Sequence, residues 1–156
     1  MTNKATKLIA TIVCAIFCTA CTTNTLKIEV APDTSLTVQK PDRLKLVEGI
    51  FAQYKQGSIF IDTQYMKNGM TGDSFLKQIY GSDQPLTPDM SNKRKIALAD
   101  SKTIKDVSKG TITGYYIQHK GGYELLVFAI NSKNFVTYLT GKNIPVIPVY
   151  STIKER

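Results

Sequence analysis

Three cysteines stand together as Cys14, Cys18 and Cys21 in the run CAIFCTAC, and the chain has no others. Three thiolates at this spacing on a loop would converge on one iron–sulfur centre and leave a coordination position open. His119 is the single histidine and stands beside Lys120 and Gly121 at the end of a strand-like run. A serine or metal site built on it would need distant partners, so a satisfied or surface-exposed histidine is the expectation. Met66, Met70 and Met90 carry thioethers that would suit copper(I), although methionines spaced like the first two are ordinarily packing residues. Asp62, Asp73, Asp83, Asp89, Asp100 and Asp106 are scattered singly and offer no carboxylate pair. The sequence has no P-loop, no H-E-x-x-H, no glycine-rich dinucleotide turn and no calcium loop. The expectation is a protein without catalytic residues, metal or cofactor.

The surroundings of the cysteines decide against a cluster. They fall in or just after the uncharged run LIATIVCAIFCTA, Leu8 to Ala20, which follows Lys4 and Lys7. A basic start, a short apolar stretch and small residues at its end describe a secretory signal peptide. The run is too short for a permanent bilayer span, which takes about 20 residues. Thr19, Ala20 and Cys21 resemble the lipobox of bacterial lipoproteins; Cys18 departs from the leucine usual at that position. The resemblance covers the first 21 residues or so. It implies a signal peptide over 1–20, lipidation of Cys21 and membrane attachment through fatty acyl chains. Thr22 is not the aspartate that holds such proteins in the inner membrane, so the resemblance further implies an outer-membrane anchor with the domain facing the periplasm. Residues 21–26 would form the lipidated start and a short tether, and 27–156 one globular domain. That domain has no cysteine, so its stability must come from its core.

One further group of residues bears on chemistry. Ser74 and Lys77 form an S-x-x-K pair, with Ser82-Asp83-Gln84 and Lys109-Gly110-Thr111 downstream. They echo the serine–lysine, S-D-N and K-T-G elements of penicillin-recognising enzymes. The echo fails at Gln84 and at the inverted order of Gly110 and Thr111, and the chain is too short for that fold.

The formal net charge is +8; removal of Lys4 and Lys7 leaves +6 for the remainder. Such an excess favours anionic lipid, acidic polymers or nucleic acid, and export argues against nucleic acid. Lys93, Arg94 and Lys95 concentrate the charge, followed by Lys102, Lys105 and Lys109. A short helix over Asp100 to Ser108 would bring the last three near one face. These six are the candidate partner-contact residues, against the plainer reading of a solvated face.

The elements that must carry these residues follow from periodicity. Leu26 to Ala31 and Leu36 to Gln39 read as strands around Pro32-Asp33. Arg43 to Lys55 reads as a helix capped by Asp42, with Leu44, Val47, Ile50, Phe51 and Tyr54 on one face and Gly49 weakening it. SIFIDTQY reads as a strand. Asp73 is expected to cap a two-turn helix carrying Phe75, Leu76, Ile79 and Tyr80, closed by Gly81. Residues 82–95, with two prolines, read as a long exposed loop. TITGYYIQHK, YELLVFAIN and FVTYLTG read as three hairpin-linked strands, the middle one apolar on both faces and so covered on both. IPVIPVY belongs at a sheet edge or outside it. The expected architecture is α+β: a small single domain with an antiparallel β-meander in its C-terminal third, packed by one or two short helices.

These features together predict a lipid-anchored, non-catalytic assembly or binding component of a bacterial envelope complex, such as a secretion, conjugation or surface-structure apparatus, with envelope proteins as partners. The contact surface is expected at the 82–95 loop and at the IPVIPVY segment, the latter as a site of strand addition. The competing class is a periplasmic ligand-binding or hydrolytic domain acting on lipid or cell-wall polymer.

Overall fold

A computed structural model describes residues 24–67, 69–81 and 86–155. Cys14, Cys18 and Cys21, the signal peptide and the Ser82-Asp83-Gln84 element lie outside the described residues. The chain forms β1 (Thr25–Ala31), β2 (Thr34–Gln39), β3 (Arg43–Leu46), β4 (Ile50–Gln53), β5 (Ser58–Tyr65), α1 (Gly72–Tyr80), α2 (Pro88–Leu98), β6 (Ser101–Asp106), β7 (Ile112–His119), β8 (Tyr123–Ile130), β9 (Phe135–Lys142), α3 (Ile147–Tyr150) and β10 (Lys154–Glu155). This is a small, mostly antiparallel α+β domain.

Seven strands form one sheet in the order β3-β4-β5-β9-β8-β7-β6, and β1-β2-β10 form a second. Two runs of sequential hairpins, β3 to β5 and β6 to β9, are joined by the pairing of β5 with β9. The crossover between the runs carries α1 and α2. Leu126, Phe128 and Ile130 of β8 enter a core shared with β1, β2 and α3 through Ile28, Leu36, Val38 and Tyr150. Val127 and Ala129 point the other way, into a second core with Leu76, Ile79, Tyr80 and Met90 of the two helices. β8 is thus covered on both faces, as its unbroken apolar run predicts.

Local chemistry accounts for the elements that depart from expectation. Arg43 to Lys55 is a hairpin, not a helix. Leu44, Leu46, Ile50 and Ala52 alternate along one face, and Val47, assigned to the buried helical face, is 63% exposed at the turn. Glu48 adopts a φ of 52°, and a Cβ on Gly49 would stand 2.7 Å from the Ile61 carbonyl oxygen. The glycine that weakened the helix reading is the one the turn requires.

The supposed loop over 82–95 contains most of α2. Thr87 Oγ1 accepts a hydrogen bond from Met90 N (3.4 Å), with proline in the first turn, a standard way to start a helix. The segment from Asp100 to Ser108 is largely the strand β6. Thr71, rather than Asp73, occupies the cap position of α1; Asp73 lies in the first turn and accepts from Ser132 N (3.2 Å).

IPVIPVY lies outside the sheet, the second of the two placements expected, and not at its edge. It turns into α3, and Val146, Val149 and Tyr150 are buried. Tyr150 donates its hydroxyl to the Val107 carbonyl (2.9 Å), across Gly114, where a Cβ would come within 2.6 Å of that oxygen.

Phe128 is 1% exposed between the two sheets. Phe128→Ala is expected to cost about 3–5 kcal/mol in urea unfolding, whereas Leu46→Ala, at the exposed end of β3, should change stability by no more than about 0.5 kcal/mol.

Candidate functional site

β3 lies at one edge of the larger sheet, and no described strand pairs with its outer side. All four of its residues are exposed. Cross-strand pairing sets Leu44 and Leu46 on the face of Ala52 and Ile50, and Arg43 and Lys45 on the face of Gln53 and Phe51. The turn to β4 extends the apolar side, with Leu46 65% and Val47 63% exposed. An edge of this kind, with apolar side chains at its end and no proline, is what strand addition by another chain requires. At the opposite edge β6 sets Lys102 and Lys105 around Ile104, much as β3 sets Arg43 and Lys45 around Leu44, but without apolar side chains at its end like Leu46 and Val47. Behind β3, Phe51 and Phe60 form a direct cross-strand pair. Both are half-buried and belong to neither core.

The six basic contact candidates are not gathered into one patch. Lys93, Arg94 and Lys95 lie on α2, where Lys93 Nζ pairs with Asp89 at 2.9 Å. Lys102 and Lys105 lie on β6 and Lys109 in the turn that follows. Lys105 stands opposite Tyr116, a ring packed on the core away from the helices. Lys109 Nζ donates to the Tyr150 carbonyl (3.1 Å) and sits 4.5 Å from the centre of the Tyr150 ring, a cation–π arrangement. Burial, with the charge of Asp106 adding, pushes the Tyr150 hydroxyl up to about 12. The sheet therefore separates Lys105 and Lys109 from the three basic residues of α2; these two share a side of the sheet, as expected of them, while Lys102 stands at the other end of β6.

His119 departs from expectation. It is 7% exposed, and neither ring nitrogen has a hydrogen-bond partner among the described residues. Its ring stacks on Tyr123 at 4.6 Å and 17°. Burial lowers its pKa, with the charge of Asp100 opposing. A lone histidine at a strand end gave no sign of this, because the stacking partner comes from the next strand.

The remaining chemical motifs are dispersed. Ser74 and Lys77 are exposed on α1, and Lys77 pairs with Asp73 (3.4 Å). Thr111 Oγ1 bonds the Glu155 carboxylate. Met66 and Met90 pack in the helix-side core. Among the described residues no three His, Cys, Asp or Glu side chains are grouped to hold a metal ion, and no helix is long and apolar enough to cross a membrane. A cavity of about 100 Å³ lies under the β1–β2 turn, lined by Ala31, Pro32, Thr34, Phe128, Lys133 and Thr137 among others. It is well below the roughly 300 Å³ at which small-molecule sites begin.

No protein-family model, curated protein or solved structure matches the chain. The site is therefore read from its own geometry.

His119 makes stability depend on pH. Its folded-state pKa lies below the ordinary 6.5, so as pH falls through that value the unfolded chain takes up the proton first and stability is lost. The melting temperature should drop as the pH is taken down through about 6.5, and His119→Phe, which keeps the stack and removes the titration, should flatten this part of the profile.

Proposed function

We propose that the protein is a lipid-anchored, non-catalytic assembly or binding component of a bacterial envelope complex, held through acylated Cys21 in the outer membrane facing the periplasm. The observation that carries the reading is the β3 edge, which no described strand pairs and which presents exposed Leu44, Leu46 and Val47. Strand addition at β3 would satisfy the backbone by main-chain hydrogen bonds and take its specificity from alternating side chains. This moves the contact surface from the IPVIPVY segment and the 82–95 region to the β3–β4 hairpin.

The reading also agrees with where the chain enters the fold. β1 begins at Thr25, and the Asn24 carbonyl accepts from Lys40 N (2.8 Å). From Cys21 to Asn24 the chain can span only about 10 Å. An acylated Cys21 would hold the domain against the bilayer, and two or more acyl chains give stable attachment.

A photo-crosslinking residue placed in turn at Leu46, Val47, Ile96 and Ile104 of the full chain, in growing cells, tests the proposal. A discrete adduct from Leu46 and Val47, weak at the other two positions and dependent on Cys21, is the expected result. Leu46→Lys combined with Val47→Lys should abolish the Cys21-dependent complex and leave the melting temperature unchanged. Equal labelling from all four positions, with the solubilised protein sedimenting alone, would sink the idea.

A further inference from the structure

The strand ends differ in charge between the two ends of the larger sheet. At the end where β3 and β5 begin and β4 and β9 finish stand Lys40, Arg43, Lys55, Lys102, Lys120 and Lys142, all exposed. They come from six separate places: the end of β2, the start of β3, the β4–β5 turn, the start of β6, the β7–β8 turn and the end of β9. None of them forms an ion pair among the described residues. The acidic residues at this end are Asp42, Asp100 and Glu124, and the Glu124 carboxylate is occupied by Val146 N (3.0 Å).

The opposite end is mixed. Asp33, Glu48, Asp106 and Glu155 stand there among Lys67, Lys109, Lys133 and Lys154. Tyr123, 37% exposed, adds to the basic end an aromatic ring with a polar tip, a side chain suited to a headgroup boundary.

Asn24 is also at the basic end. It lies beside Lys40, and the Gln39 carbonyl next to it accepts the Tyr54 hydroxyl (2.8 Å) from the β4–β5 turn. Asn24, where the described chain begins, therefore lies at the basic end of the sheet. We propose that this face lies against the anionic surface of the bilayer, with the strands pointing away from it. The proposal rests on the anchored reading for the direction in which the membrane lies. Its own content is the orientation, and the occupant it names is a layer of phosphate headgroups. Lysines within a Debye length of such a surface are drawn to it, and salt weakens the attraction.

Lysine footprinting with an amine-reactive reagent and mass spectrometry tests this on the full protein purified from envelopes and bound to vesicles. On phosphatidylglycerol, Lys40, Lys55, Lys120 and Lys142 are expected to label several-fold more slowly than in detergent, with Lys67, Lys133 and Lys154 unchanged. The protection should fade in high salt and on phosphatidylcholine. Lys55→Glu combined with Lys142→Glu should remove the protection of Lys40 without lowering the melting temperature.

Even labelling of both ends, or protection of the Lys67 and Lys133 end, would overturn the orientation. Protection that arises only in native envelopes and never on protein-free vesicles would assign the face to an acidic protein, and the bilayer proposal would fall. The mass of the N-terminal peptide, read in the same experiment, reports separately whether Cys21 carries lipid, so a failed anchor is distinguishable from a failed orientation.

Discussion

A strand that is apolar on both faces must be covered twice, and β8 imposes that demand on the rest of the chain. Leu126, Phe128 and Ile130 need one cover, Val127 and Ala129 another. Burial of such side chains is worth about 1.5–3 kcal/mol each, more than any surface ion pair here could supply. The first cover is the second sheet with α3; the second is α1 flanked by α2. Neither helix packs over β3, β4 or the middle of β5, so the cross-strand pair Phe51 and Phe60 stays half-buried and β3 stays at an open edge. The surface proposed for assembly is the part of the sheet that the two covers leave over.

Where the hydrophobic period was clean, the sequence was enough to place the elements. The alternation in β1, β2, β5 and β7, the two-faced β8 and the amphipathic Phe75, Leu76 and Ile79 of α1 were all legible. The hairpin of β3 and β4 was not, because Leu44, Val47, Ile50, Phe51 and Tyr54 fit a helical stripe as well as two short alternations, and only the partner β5 decides between them. α2 was missed for the opposite reason. It buries little beyond Met90 and shows almost no stripe, while its start signal, Thr87-Pro88-Asp89, was present and was outweighed by two prolines read as loop markers. β6 was misread because Lys102 and Lys105 suit a helix face or an edge strand equally well.

The candidate site was less legible than the fold. Charge totals and runs drew attention to Lys93, Arg94 and Lys95, the densest basic stretch in the chain, and one of these is neutralised by Asp89 within its own helix. The basic residues that share a face in space are single lysines and one arginine at the ends of different strands. Proximity of that kind is created by sheet topology and leaves no local pattern. The buried His119 is similar: it stacks on Tyr123 and stands opposite Ser101, neighbours brought together by pairing in the sheet.

The smaller sheet has a consequence in time. β2 is flanked by β1 and by β10, and Thr152 Oγ1 donates to the Thr37 carbonyl and accepts from its amide across a separation of 115 residues. Val149, Tyr150 and Ile153 complete the core under β1 and β2. β1 and β2 therefore gain part of their cover from residues far downstream of them, and contacts this distant in sequence close slowly. Until Val149, Tyr150 and Ile153 are in place the larger core cannot shut. A chain in that state is open and threadable, which is what the proposed export would require of it.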